Sequence, residues 1–231
     1  MYHEDYVRTL CLACDIHSEF RTQIDLKNQD RKLAIYYLQG GSLTAAHVAL
    51  KNWECGDLNG VWRAQKFIAE TNGVLQFLSI EENVDRELRN FFNGGYIELP
   101  NLDSKKKAGL KEKVLKIRGH DEETHKKFTE ATKQLTEEFS KGGHPTLYSS
   151  AYNSDKETGE FDYELKDDEF KHYPIRNFDF ANFIIIPAAN SVYVYSQAFS
   201  VEKEYLDKLG DAINHIQEQA INFQTIRKSM N

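Results

Sequence analysis

Ser140-Lys141-Gly142-Gly143-His144-Pro145 closes a long helical pattern, and the chain changes character there. Before it, Leu110, Val114 and Ile117 keep a three- and four-residue step, and Phe128, Ala131, Leu135 and Phe139 carry the stripe on to Ser140. Such steps place apolar side chains on one face of a helix. Gly142 suits the left-handed residue that ends a helix, and Pro145 cannot continue one. Beyond Pro145 the periodicity is lost for some thirty residues. An amphipathic helix, a stop and then an irregular stretch are the grammar of an all-α protein.

Working outward, the same grammar recurs. Tyr6, Leu10, Ala13, His17, Phe20 and Ile24 predict a first helix from Glu4 to Leu26. A second is expected over residues 30–38, with Gly40-Gly41 as an interruption and Ser42 or Thr44 capping the next segment to Trp53 and Gly56. Asp57 is placed to cap a long helix with Val61, Trp62, Gln65, Ile68, Ala69, Leu75 and Leu78 on one side. Residues 79–92 continue as helix or as a bent turn, and Gly94-Gly95 and Pro100 make the connection that follows. Gly119-His120-Asp121 is a possible break in the basic segment. Phe183-Ile184-Ile185-Ile186 and Ser191-Val192-Tyr193-Val194-Tyr195 allow a hairpin on β-propensity. A buried helix kinked at Pro187 competes, and it is preferred because every neighbouring element is helical. Ser200 is expected to cap a last helix to Ile226 carrying Tyr205, Leu209, Ile213, Ile216, Ala220 and Phe223. The expectation is one domain over 1–231: an antiparallel helical bundle with an acidic loop at 154–173 and a C-terminal helical hairpin at 177–226.

The chain has 231 residues, 12% of them aromatic, which is ample for a core. Its net charge of −7 argues against a general nucleic-acid coat or a binder of anionic membranes. The charge is uneven. Residues 104–133 hold ten Lys or Arg against five Asp or Glu, whereas 150–172 hold eight acids against three lysines. Two solvated faces account for this, and a local phosphate-binding surface is the sharper alternative. Three cysteines, Cys11, Cys14 and Cys55, cannot all pair, which fits a reducing cytoplasm. The start of the chain lacks the pattern of a secretory signal. Residues 178–199 are apolar, yet Asp179, Asn182, Asn190 and Gln197 interrupt them, so no membrane span is expected.

Few constellations carry chemistry. Cys11 and Cys14 lie one helical turn apart. With no second cysteine pair, core packing explains them better than a redox or zinc site. The eight histidines lack the His-x3-His spacing, and His120 and His125 do not share a helix face, so no metal and no cofactor is expected. Arg63 and Glu70, seven residues apart, read as an internal ion pair or hydrogen-bond network, since buried charges need partners. His144 beside Ser140 reads as a helix-end histidine. Its sharper role is a second histidine in a polar pocket with Arg63 and Glu70.

Three stretches resemble a group of prokaryotic helical proteins related to the HEPN superfamily. Residues 42–53 lead into Trp62-Arg63-Ala64-Gln65-Lys66-Phe67-Ile68-Ala69-Glu70, similar to the family's helix with an arginine and a downstream glutamate. Residues 139–145 resemble its Ser-x-x-His-Pro helix end, and the apolar C-terminal helices complete the likeness, which covers 42–145 best. The resemblance implies a helical bundle that dimerises. It also implies either a metal-independent ribonuclease of toxin or phage-defence type, or a binding module that has lost that activity. Arg118-Gly119-His120-Asp121-Glu122-Glu123-Thr124-His125 matches the family's Arg-x4–6-His spacing, with Gly119 where the family has a polar residue. On a continuous helix Arg118 and His125 would face one way, about 10 Å apart along the axis. The arginine would hold phosphate charge and the histidine would move a proton. The alternative function is a non-catalytic module that binds another protein.

Overall fold

The computed structural model describes residues 2–95, 97, 122, 123, 126 and 180–230. Within them 83% of residues are helical and no strand occurs, which settles the all-α class. Six α-helices follow in order: α1 (Tyr2–Phe20), α2 (Arg31–Glu54), α3 (Leu58–Ile80), α4 (Asp85–Phe92), α5 (Ile186–Tyr195) and α6 (Lys203–Met230). The acidic stretch at 154–173 and the helix end at Ser140–Pro145 lie outside the described residues.

Helix α1 buries the expected stripe. Tyr6, Leu10, Ala13 and Phe20 are within 2% of complete burial, and Ile16 joins them. The helix ends at Phe20, earlier than the pattern suggests, and a 3-10 turn at Arg21–Gln23 carries Ile24 into the core.

Helix α2 corrects a larger expectation. Gly40-Gly41 does not interrupt it; one helix runs from Arg31 to Glu54, capped by the Asp30 carboxylate, which accepts from the Leu33 amide at 2.9 Å. The two glycines supply space. A Cβ on Gly40 would meet His17 Cε1 of α1 at 3.1 Å, and one on Gly41 would meet Phe67 Cζ of α3 at 3.3 Å. Glycine costs about 1 kcal/mol against alanine in a helix interior, and here close packing on both sides offsets it. Ser42 is therefore no cap but a buried mid-helix residue, and the Thr44 hydroxyl donates back to Gly40 O at 2.8 Å.

Helix α2 does end where expected. Gly56 has φ 75°; its amide donates to Trp53 O and the Asp57 amide to Asn52 O, so the last carbonyls are satisfied. Gly94 repeats this left-handed device after α4, at φ 86°. Asp57 then caps α3, accepting from Gly60 N at 3.0 Å. Between α3 and α4 the chain breaks, and the Arg31 guanidinium reaches the freed carbonyls of Glu81 and Glu82 at 2.7 and 3.0 Å.

Residues 183–195 are helical. A π-helical turn at Ala181–Ile185 leads into α5, with Pro187 in its first turn. Proline has no N–H to donate to the residue four before it, and the wider turn is the local response. Helix α5 sits centrally and packs against α1, α2, α3 and α6. Ile184, Ile185, Ala188, Ala189 and Val192 are all fully buried. At roughly 1.5–3 kcal/mol for each large aliphatic side chain, that face outweighs one missing donor, worth about 1 kcal/mol. Tyr6, Trp53 and Phe180 close one end of the core, with the Trp53 and Phe180 rings stacked at 4.8 Å.

Helix α6 starts at Lys203, and Ser200 does not cap it. The Ser200 amide donates to Gln23 Oε1 and its carbonyl accepts from Gln23 Nε2, both at 2.7 Å. This reciprocal pair ties the segment before α6 to the end of α1. Leu209, Ile213 and Ile216 bury the inner face of α6, whereas Tyr205 is exposed. No helix among the described residues is long and apolar enough to cross a membrane.

Candidate functional site: an exposed face on two helices and a polar groove

Helices α2 and α3 are joined by three residues and pack closely on one another. The side of α2 turned from the core carries Tyr37, Gly41, Thr44 and Val48, spaced four, three and four residues apart. That spacing makes one stripe. On α3, Arg63, Phe67 and Glu70 make a second by the same rule, with Lys66 beside it. Phe67 reaches across to Gly41, joining the two stripes into one face.

This face holds Tyr37, Val48 and Phe67, each 47–49% exposed. The Phe67 ring stands exposed on α3 between the charged side chains of Arg63 and Glu70. Arg63 and Glu70 do not form the internal network expected of them. Both are exposed, and no ion pair joins them among the described residues. They stand one helical turn either side of Phe67, so Phe67 lies near the midpoint of a span of about 10 Å. The buried polar role falls to their neighbours Gln65 and Thr71, at 6% and 4% exposure.

The remaining expected residues, Arg118, His120, His125, Ser140 and His144, lie outside the described residues. Of the stretch between Arg118 and His125, Glu122 and Glu123 are described, both helical and exposed.

A second feature escaped the sequence. A groove of about 220 Å³ between α1 and α6 is lined by Asp5, Arg8, Thr9, Lys208, Asp211, Ala212 and His215. The Gln219 amide nitrogen lies 3.1 Å from Asp5 Oδ2 and 2.8 Å from His215 Nε2, donating to both; His215 Nε2 is itself 3.6 Å from Asp5 Oδ2. The amide donates to the ring nitrogen in the tautomer that carries its proton on Nδ1. A histidine and a carboxylate could move a proton here. The Thr9 hydroxyl, which also lines the groove, donates to Asp5 O at 2.8 Å. Lys208 is engaged with Glu204 at 2.7 Å, which raises the lysine pKa and lowers that of the glutamate. The groove unites residues some two hundred positions apart, and no local pattern announces that.

Two further titratable groups are tuned by packing. His17 stacks on Tyr36 at 4.4 Å and donates from Nε2 to Tyr36 O at 2.9 Å. Burial holds its pKa below the usual 6.5, and the carbonyl bond pulls part of the way back. The Cys14 thiol is pushed up by burial, then by Cys11 and Asp15. Cys11 is exposed, which corrects the expectation that both cysteines pack in the core. Among the described residues no cluster of three His, Cys, Asp or Glu side chains could hold a metal ion.

Comparisons with protein families, with curated proteins and with solved structures found no match for this chain.

Proposed function

We propose that this chain is a helical protein-interaction module of HEPN-like type that acts through the outer face of α2 and α3. The exposed Phe67, seated over Gly41 between Arg63 and Glu70, is the observation that carries this reading. An aromatic anchor with a charged rim is how protein interfaces concentrate their energy. The unpaired thiols of Cys11 and Cys55 suit work in a reducing cytoplasm.

The test replaces Phe67 by a photoreactive phenylalanine analogue in cells that make the protein. The module reading expects a discrete covalent adduct at 67 and none when the analogue replaces the exposed Tyr205 on α6. Absence of an adduct at 67 would remove its support.

The second reading is metal-independent RNA cleavage in a toxin or phage-defence setting. The Arg118–His125 spacing favours it. It expects cleavage of RNA in EDTA, leaving 2′,3′-cyclic phosphate ends, and loss of that cleavage in both Arg118→Ala and His125→Ala. A wild type that leaves RNA intact would reject it.

A further inference from the structure

We propose that Cys11 and Cys14 of α1 form a two-coordinate site for a soft monovalent cation, copper(I), held between their two sulfurs. The site is independent of the reading of the α2–α3 face.

Cysteine is among the residue types most often fully buried. Cys14 is half-buried, but Cys11 is exposed, so packing accounts for the first and not for the second. The two stand three residues apart within α1, one turn of an unbroken helix, so they point to nearly the same side. After burial, the neighbouring Cys11 is the next cause of the raised Cys14 pKa, which reflects how close the two thiols are. The turn that carries them is held in place. Leu10 and Ala13 beside them are fully buried in the core, and the Ser18 hydroxyl donates to Cys14 O at 2.8 Å.

Spacing decides what such a pair can hold. Side chains three apart on a helix have Cβ atoms about 5–6 Å apart. A disulfide needs about 3.5–4.5 Å between Cβ atoms and about 2.05 Å between sulfurs. Closing that bond would pull on a turn that Leu10 and Ala13 anchor. A metal ion between the sulfurs asks for less. With metal–thiolate bonds of about 2.3 Å, a linear bridge sets the sulfurs about 4.6 Å apart, which suits the helix spacing. Thiolates select soft cations, copper(I) among them. Copper(I) accepts two sulfurs in a line, whereas structural zinc takes four ligands. Among the described residues no group of three His, Cys, Asp or Glu side chains could complete such a set. The lack of a second cysteine pair thus tells against zinc and leaves a two-ligand cation open. On binding, each sulfur gives up its proton, so one cation enters as two protons leave. No electron is transferred.

Anaerobic titration of the full chain with copper(I), in competition with a chromogenic copper(I) chelator, tests this. Cys55 is an exposed thiol on another part of the chain and serves as the internal control. Wild type and Cys55→Ser should each bind one copper(I) per chain, with equal affinity. Cys11→Ser and Cys14→Ser should bind about 100-fold more weakly or worse, because a second ligand on the same turn acts as a high effective concentration. Cys11 is exposed, so a thermal melt should show Cys11→Ser folded as the wild type is. Copper K-edge absorption of the loaded Cys55→Ser protein should show two sulfur neighbours. A wild type that binds no tighter than Cys11→Ser would overturn the inference. So would a loss in Cys55→Ser as large as in Cys11→Ser. One copper(I) per two chains, or three or more sulfur neighbours, would place the ion between chains and reject the pair as the site.

Discussion

Alanine at Gly40 and alanine at Gly41 should change stability in opposite directions, although the two residues are adjacent in one helix. Each substitution gains about 1 kcal/mol of helix propensity. The neighbours decide the rest. At Gly41 the new Cβ meets the Phe67 ring tip at 3.3 Å; that ring is 47% exposed and can swing outward. The propensity gain survives, and Gly41→Ala should raise the melting temperature by roughly 2–4 °C for a domain of this size. At Gly40 the Cβ meets His17 Cε1 at 3.1 Å, and His17 is held by its Tyr36 stack, its bond to Tyr36 O and an edge contact with Phe20. Moving the ring forfeits a hydrogen bond worth about 1 kcal/mol and adds overpacking of about 1–3 kcal/mol. Against the propensity gain the net cost is about 1–3 kcal/mol, so Gly40→Ala should lower the melting temperature by roughly 2–12 °C. Circular dichroism melts of the two variants read this directly. Adding His17→Ala removes the obstacle, and Gly40→Ala should then stabilise that background. Equal shifts of the same sign in the two single variants would refute the packing account of α2.

Two further outcomes follow from the tuned side chains. Because the fold holds His17 below its ordinary 6.5, the unfolded chain takes up that proton at higher pH than the native one. Its contribution to stability is complete above about pH 6.5 and is lost as pH falls towards the native value, so the urea midpoint should drop on acidification and drop less in His17→Leu. The raised Cys14 thiol should react with a disulfide reagent at pH 8 more slowly than exposed Cys11 and Cys55, giving two fast equivalents and a slow third. Three equal rates would show that Cys14 is as open as the other two.

Helix starts and stops were legible where a local device makes them. Asp57 caps α3 and Gly56 ends α2, because each acts on backbone groups within a few residues of itself. The apolar period was legible for the same reason: Tyr6, Leu10, Ala13 and Phe20 share a face by the geometry of one helix alone. What misled was a residue whose reason lies on another element. Gly40-Gly41 carries the composition of a turn, yet it serves two neighbouring helices. Ser200 carries the composition of a cap, yet it answers Gln23, 177 residues away. Pro187 is legible as part of a helix only from the helical character of everything around it.

The candidate site divides along the same line. Spacing shows that Arg63, Phe67 and Glu70 share a helix face, but not which way that face turns. Arg63 and Glu70 alone suggest burial and mutual pairing, since a buried charge needs a partner. Their exposure removes that need and leaves two unlike charges free to find partners elsewhere. Helix α5 packs on both α2 and α3, and Leu43, Ala46, Ile68 and Leu75 are buried in the core that these helices share. Once those four point to the core, helical geometry turns Tyr37, Val48 and Phe67 outward. A helix more than a hundred residues further along the chain thus bears on which surface of α3 stays exposed.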